Sequence, residues 1–291
     1  MSHPVIFDRM LLKINRDRAA TSLDDFDFLL ECAVQRLTDR LLDFRRRFNL
    51  ILNLGGRTGL IDNFWPKELP KPTLIHTDIS EKMAARALSI GPALVCDEEL
   101  LPFSPESLDA VISCLSLHWV NDLPGVFQQI RRVLKPDGLL LTSMFGGKTL
   151  FELRESLNLA EIEIKGGISP RVSPFANLQD LAHLLQRAGL ALPVADTDTI
   201  IVKYDNIFEL IQNLRGMGET NTIIERSRQP PPRELFVRAG ELYAQKFGDG
   251  NNRIPATFEI LTGTGWAPHA SQQTPLIPGS GKIHFSKVLD T

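Results

Sequence analysis

The chain has 291 residues, 43% of them hydrophobic, which is enough to bury a full core, and we expect one large decorated domain. Its 32 basic and 35 acidic residues nearly balance, so the composition argues against a general affinity for nucleic acid or an anionic membrane. The three cysteines, Cys32, Cys96 and Cys114, lack CxxC spacing, and no stretch is apolar enough for a membrane span or a signal peptide, so we expect a bacterial-type cytoplasmic protein.

Residues 1–48 predict an N-terminal helical arm. Residues 22–25 resemble a capping box, and the apolar residues from Phe26 to Leu41 follow helical spacing. Arg36 and Arg40 share a face of this helix, where they are either solvated or available to an acidic partner.

The pattern then changes to a continuous apolar run at residues 50–54, which ends in a glycine turn and is typical of a buried parallel strand. Helical patterns separate several of the apolar runs that follow, and the clearest such pattern spans residues 123–134. Strands that alternate with helices predict a parallel, doubly wound α/β sheet. The further runs lie at residues 73–79, 93–96, 108–115 and 139–145.

Beyond Gly146 the alternation loosens. We predict helices at residues 149–165, 178–188, 207–215 and 234–247, and strands at residues 192–202 and 256–262. Three consecutive prolines at positions 230–232 suit a lid or insertion rather than a core element. The expected organisation is a core of residues 49–204 and 254–264, a helical insertion or lid at 205–253, and an irregular tail at 265–291.

A candidate ligand site lies at the end of the first strand. Asn53 precedes a turn that contains Gly55, Gly56 and Gly59, and a doubly wound sheet places its ligand at the carboxyl ends of its strands. Glycine lets the backbone approach a ligand and adopt positive φ, and the helix that follows favours anionic groups. Glycine turns are common, so this signal alone leaves an ordinary turn equally open.

Two aspartates strengthen the prediction. Asp78 ends the second strand about 23 residues after Gly55, where a carboxylate can accept hydrogen bonds from both ribose hydroxyls. Asp97 closes the third strand, where its side chain can accept a hydrogen bond from an adenine amino group. Either aspartate alone is more often a helix cap or a turn residue, but three successive strand ends together favour a nucleoside cofactor.

The chain resembles the class I methyltransferases that use S-adenosylmethionine (SAM), in residues 52–59, 78–83, 97–103 and 134–138. The stretch SCLSLHWVNDL at residues 113–123 is similar to the branch of that family that contains mitochondrial complex I assembly factor 5. Residues 144–152, 166–175, 216–221 and 265–280 are similar to the same branch. More distantly, the first two thirds resemble the malonyl-acyl-carrier-protein methyltransferase of biotin synthesis.

The resemblance implies a Rossmann-like sheet of seven strands and SAM as cofactor, with a protein or carrier-bound acceptor. It also implies an alternative, because the assembly factor is described as hydroxylating an arginine of a complex I subunit, so the fold does not settle the reaction. A third reading is a non-catalytic assembly chaperone. The cofactor-binding residues expected on this basis are Asn53, Gly55, Gly56, Gly59, Asp78, Ile79, Asp97, Glu98 and Ser113.

Two positions depart from the family pattern. The family usually places an acidic residue at position 53 and a glycine at position 57, whereas this chain has Asn53 and Arg57. Asn53 can still donate and accept hydrogen bonds, and Arg57 can pair with the carboxylate of the methionine moiety. Arginine is also disfavoured at positive φ, so either the turn needs none here or the residue is strained.

His118 and Trp119 follow the fourth strand at the mouth of the expected pocket. We expect His118 as a candidate general base, with a structural histidine equally open, and Trp119 on the substrate side together with Trp266 of the tail. Asn121 and Asp122 are better explained as helix caps.

His76 and Asp78 form an HxD pair of the kind that a non-haem iron site uses. Asp78 is already assigned to the ribose, however, and no distant histidine has the spacing that would complete such a site. We therefore expect no metal.

Overall fold

The computed structural model describes residues 5–273 and residue 280, and it contains one seven-stranded sheet. The strand order is β3-β2-β1-β4-β5-β7-β6, with β7 antiparallel to both of its neighbours. This order confirms the predicted doubly wound α/β fold of seven strands. The strands are β1 (Leu50–Leu54), β2 (Thr73–Asp78), β3 (Ala93–Val95), β4 (Leu108–Cys114), β5 (Leu134–Phe145), β6 (Ala191–Tyr204) and β7 (Ile254–Trp266).

Helices cover both faces of the sheet because successive strand residues point to opposite sides. The helices are α1 (Arg9–Ala19), α2 (Phe28–Asp39), α3 (Glu81–Ala87), α4 (Leu123–Val133), α5 (Phe151–Lys165), α6 (Leu178–Arg187), α7 (Ile207–Gly216) and α8 (Arg233–Phe247). Ile51, for example, packs in the larger core cluster with α2, α5, α7 and α8, whereas Leu52 packs in the second cluster with α4 and α6. Within residues 5–273 no helix is both long and apolar enough to cross a membrane.

The segment expected as a lid, residues 205–253, contributes to the core. Leu210 of α7 and Leu235 of α8 are fully buried in the larger cluster. Tyr243 of α8 is also buried, and its hydroxyl donates a hydrogen bond of 2.8 Å to the carbonyl of Pro255 at the start of β7. These contacts fix both helices of the segment against the sheet.

The predicted helix caps are right in part. Asp122 caps α4 by accepting a hydrogen bond from the Gly125 amide, as expected. Asn121 instead accepts hydrogen bonds from the amides of Ile6 and Phe7. The capping box expected at residues 22–25 does not form, because a short 3₁₀ helix, Leu23–Asp25, intervenes and α2 begins only at Phe28.

Helix α1 lies at the carboxyl ends of the parallel strands. Asp8 caps it by accepting a hydrogen bond from the Leu11 amide, and Phe7 pairs with Ile223 in an antiparallel bridge. Asn121 holds the same segment from the other side. These contacts tie the N-terminal segment over the edge of the sheet where the sequence predicts a cofactor.

Strand β6 forms the edge of the sheet opposite β3. The arginines of α2 that share a helix face pair with it, since Arg40 holds Asp196 through two hydrogen bonds and Arg36 pairs with Asp198. Both arginines are therefore engaged within the chain rather than fully solvated.

Candidate cofactor and acceptor site

The glycine turn after β1 requires left-handed backbone at three positions. Gly55 and Gly59 have φ values of 65° and 81°, which glycine adopts without strain. Arg57 lies between them with φ of 49°, a conformation that is strained for a residue with a Cβ atom. The turn therefore needs positive φ where this chain carries arginine.

The carboxylates predicted at the strand ends converge, and two arginines of α1 lie among them. Arg16 is fully buried, and its guanidinium donates to Asp78 at 3.0 Å, to Glu98 at 3.2 Å and to the hydroxyl of Ser116 at 2.9 Å. Arg9 pairs with Glu98 and with Asp97. The structure thus brings three predicted site residues together around the cations of α1.

Glu98 is ionised in this cluster. Burial raises the pKa of Glu98, but the charges of Arg9 and Arg16 and the hydrogen bond from Ser116 outweigh it and lower that pKa to about 2. Burial raises the pKa of Asp78, with Arg16 acting in the opposite direction. The arginines of α1 therefore supply the positive charge that these buried carboxylates need.

The donors and acceptors of this site suit a nucleoside, but the space does not. Carboxylates at Asp78 and Asp97 match ribose hydroxyls and an adenine amino group. Asp78, Glu98, Ser116 and Arg16 are all 0% exposed, however. A Cβ atom at Gly55 would lie 2.0 Å from the Ser116 hydroxyl. With α1 in this position, Arg16 occupies the space that SAM needs between these groups.

A further carboxylate, Glu219, lies beside this cluster, and its side chain is 4% exposed. It accepts hydrogen bonds from Arg57 at 2.5 Å and from the Trp119 indole at 2.8 Å. Arg57 also donates to the carbonyls of Leu115 and Cys114. Glu219 lies in the motif at residues 216–221, but neither spacing nor strand-end position in the sequence indicates a contact between residues so distant in the chain.

His118 completes the surroundings of Glu219. Its Nε2 atom lies 3.1 Å from Glu219 and carries the proton, because an ionised carboxylate only accepts. Burial lowers the pKa of His118 although Glu219 acts in the opposite direction, so the imidazole is neutral near pH 7. Burial raises the pKa of Glu219, but His118 and Arg57 lower it to about 2. This carboxylate is ionised.

Glu219 and Trp119 line a cavity of about 390 Å³, a volume in the range of small-molecule sites. Most of its wall is apolar, with Phe145, Phe175 and Phe258 among the lining residues. His118 packs behind this wall, with its ring 4.7 Å from that of Phe145. The cavity therefore combines an aromatic wall with one acidic residue, Glu219, and two arginines, Arg171 and Arg215, the first of which pairs with Glu161.

Residues 52–142 match the family model described as "Methyltransferase domain". The mouse and human proteins named "Arginine-hydroxylase NDUFAF5, mitochondrial" are 42% and 41% identical to this chain. Each alignment spans 97% of this chain and 83% of the relative. This chain belongs to the NDUFAF5 family. A malonyl-[acyl-carrier protein] O-methyltransferase of Laribacter hongkongensis is 30% identical over 98% of both chains.

Solved structures support the fold alone. The YcgJ protein of Bacillus subtilis has a TM-score of 0.55 at 16% identity, covering 80% of this chain and 98% of its own. A Haemonchus contortus phosphoethanolamine N-methyltransferase, solved with SAM, has a TM-score of 0.53 at 14% identity and matches 89% of this chain and 60% of its own. This chain thus has the class I methyltransferase fold.

Other predicted residues of this NDUFAF5 family member have partners within the sheet. Asn53 lies 3.0 Å from the Nδ1 atom of His76, and a Cβ atom at Gly56 would collide with the Asn53 side chain. The hydroxyl of Ser113 donates to the carbonyl of Leu54. Ile79 packs in a small apolar cluster that includes Phe7 and Trp119. None of these contacts is with a strand-end carboxylate.

Trp266 lies far from this site, which corrects its expected placement on the substrate side. It pairs with Leu139 at the start of the parallel segment of β5 and packs edge-to-face on Phe44 at 5.2 Å. The antiparallel direction of β7 takes its end away from the strand ends that carry Asp78 and Glu98. The tail follows it, with Gln272 hydrogen-bonded to Asp137, and residues 274–279 and 281–291 lie outside the described residues.

The HxD pair does not form a metal site. His76 lies between Asn53 and Asp62, 3.0 Å from a carboxylate oxygen of the latter, whereas Asp78 holds Arg16. Among the residues that the structure describes, no group of three or more histidines, cysteines and acids is placed to hold a metal.

Proposed function

We propose that this chain is an enzyme that modifies an arginine side chain of a protein, by hydroxylation, and that its target is a subunit of complex I. The observation that carries the proposal is the aromatic cavity with Glu219, whose side chain is 4% exposed, as its carboxylate. The target follows from the resemblance to the complex I assembly factor. We also propose that the protein is located in the cytoplasm.

The cavity has the chemistry that an arginine side chain requires. Arginine has a three-carbon stem and a planar cation, so it suits an apolar wall that ends in a carboxylate. Glu219 holds the Arg57 guanidinium through Oε1, so its carboxylate accepts a guanidinium in this geometry, and a substrate arginine would compete with Arg57 for it. Phe145 and Phe175 can pack against the stem and exclude water from the reacting carbon.

Hydroxylation replaces one C–H bond of the substrate with C–OH. The atoms balance when dioxygen is the oxidant, a reductant supplies two electrons, and the second oxygen atom takes up two protons and leaves as water. The residues of this chain would bind and orient the guanidinium and would keep bulk water away. His118 and Trp119 would hold the Glu219 carboxylate in place, so His118 is a positioning residue in this proposal.

SAM-dependent methyl transfer to a protein or carrier-bound acceptor is the second candidate. It is supported by the convergence of Asp78, Asp97 and Glu98, and by relatives named as malonyl-acyl-carrier-protein O-methyltransferases. We propose that these carboxylates and the backbone at Gly55 would hold SAM, which supplies an electrophilic methyl group when bound. The space they need is occupied by Arg16 in this conformation.

Mass spectrometry of complex I from a deletion strain tests the proposal. We expect the deletion to remove one oxygen atom from an arginine of a complex I subunit, and the intact gene to restore it. A methyl group lost instead identifies the second candidate. An unchanged set of modifications, with complex I assembly still impaired, would point to the non-catalytic chaperone.

Two variants make this test specific to the cavity. Glu219→Gln keeps the shape of the side chain but removes the charge, so we expect it to lose most of the arginine modification. Glu225→Gln makes the same change at an exposed position nearby and should restore modification fully. Equal restoration by both variants would contradict the assigned role of Glu219.

A further inference from the structure

Helix α1 occupies the position that the proposed cofactor needs. We propose that α1 is a built-in competitor of the nucleoside cofactor, so that the cofactor binds only after the N-terminal segment, residues 5–22, has withdrawn from the strand ends. The inference rests on the proposal that the chain binds a nucleoside cofactor, and not on the identity of the acceptor.

The competition concerns the same atoms. One oxygen of Asp78 accepts from Arg16 and from the Arg57 amide, and the other accepts from the Ser80 amide. One oxygen of Glu98 accepts from Ser116 and Arg16, and the other accepts from Arg9. A ribose hydroxyl that approaches either carboxylate must therefore displace a guanidinium of α1.

Burial shows that this arrangement is built into the fold rather than made by surface side chains. Arg16 is 0% exposed, as are both carboxylates that it contacts. Such a cluster is stable only when each charge has a partner, because an unpaired buried charge is strongly unfavourable. In the closed state the arginines provide those partners, and in the open state the ribose and adenine would satisfy the carboxylates by hydrogen bonds.

Separate contacts fasten the segment without touching these carboxylates. Phe7 packs edge-to-face on Trp119 at 5.3 Å, and Asn121 accepts hydrogen bonds from the amides of Ile6 and Phe7. The hydroxyl of Ser80 donates to Asp17 at 2.6 Å. Because these contacts lie outside the proposed cofactor atoms, they can be weakened without removing a cofactor-binding group.

This arrangement predicts an inverse relation between the fastening of α1 and the affinity for cofactor. The apparent dissociation constant equals the intrinsic one divided by the fraction of molecules in the open state. A change that loosens the segment raises that fraction and tightens binding. By linkage, a bound nucleoside must loosen α1 by the same factor.

Calorimetric titration of the full chain with S-adenosylhomocysteine tests this relation. We expect Asn121→Ala and Phe7→Leu to lower the apparent Kd by about tenfold, because the open fraction rises. Asn206→Ala is the matched control. Its side-chain oxygen also accepts from two backbone amides, those of Phe208 and Glu209, but at the start of α7. The control variant should bind as the wild type does.

Hydrogen exchange supplies a second readout. Addition of S-adenosylhomocysteine should accelerate exchange of the amides of α1, whereas exchange in α4 should not rise. Unchanged or weakened binding in the Asn121 and Phe7 variants, or protection of α1 by the ligand, would overturn the inference. The inference would also be overturned if S-adenosylhomocysteine bound to none of the variants. None of these results changes the arginine measurement, so the two proposals fail independently.

Discussion

Replacing Arg57 with glycine tests whether backbone strain or the buried ion pair dominates at the cofactor turn. Glycine would relieve the left-handed backbone, φ of 49°, by about 1 kcal/mol, and the larger freedom of glycine in the unfolded chain offsets much of this gain. The loss is larger. Removing the partner of a buried carboxylate destabilises a protein by about 3 kcal/mol, near the low end here because His118 and Trp119 still contact Glu219.

We therefore expect Arg57→Gly to lower the free energy of unfolding by about 2–3 kcal/mol, although glycine is the residue usual in the family. For a chain of this length the Tm should fall by roughly 3–5 °C. Urea unfolding followed by circular dichroism measures the free energy, and a thermal melt measures Tm.

A control variant and a double variant separate the two contributions. Glu106 also has positive φ, 52°, but lies on the surface, so Glu106→Gly should be neutral or slightly stabilising. Adding Glu219→Gln to Arg57→Gly should recover part of the lost stability, because the unpaired charge is gone. The reasoning is refuted if Arg57→Gly is as stable as the wild type, or if the double variant is no more stable than Arg57→Gly alone.

Three smaller perturbations test other parts of the structure. Folding lowers the pKa of Glu98 from 4.5 to about 2, so the ionised carboxylate stabilises the fold above pH 4.5 and this contribution, about 3 kcal/mol, is lost as the pH falls towards 2. Thermal melts across this pH range measure the loss, and Glu98→Gln should make stability less dependent on pH. Trp266→Ala should destabilise the protein by about 2 kcal/mol in urea yet leave the arginine modification of the complex I subunit unchanged, and a loss of that modification would restore Trp266 to the substrate side. Arg40→Ala should lower the free energy of unfolding by at most about 1 kcal/mol, since the pair with Asp196 is partly exposed, and a loss of several kcal/mol would contradict this reading.

The sheet was predictable because its strands carry local signals. Apolar runs such as Leu50–Leu54 and residues 108–115 are buried on both faces and end at turn residues, so periodicity and punctuation suffice to find them. The convergence of Asp78 and Asp97 followed from strand order, since parallel strands bring their carboxyl ends to one edge.

The occupants of the site were not predictable in the same way. Arg16 is polar and lies on a short helix, and its burial depends on carboxylates 62 and 82 residues further along the chain. Glu219 is hidden for the same reason, because Arg57 and His118 are brought to it only by tertiary folding. The sequence pattern wrongly predicts Trp266 on the substrate side because periodicity does not indicate the direction of β7. That direction decides at which end of the parallel strands Trp266 lies.

The position of β7 has a consequence for synthesis on the ribosome. This strand, Ile254–Trp266, lies between β5 and β6, so β6 has no place in the sheet until the chain has grown past residue 266. A nascent chain that ends earlier exposes the hydrogen-bonding edge of β5, which can pair with another chain. Folding of this half of the sheet therefore waits until residue 266 has been synthesised, and before then the exposed edge of β5 is open to aggregation.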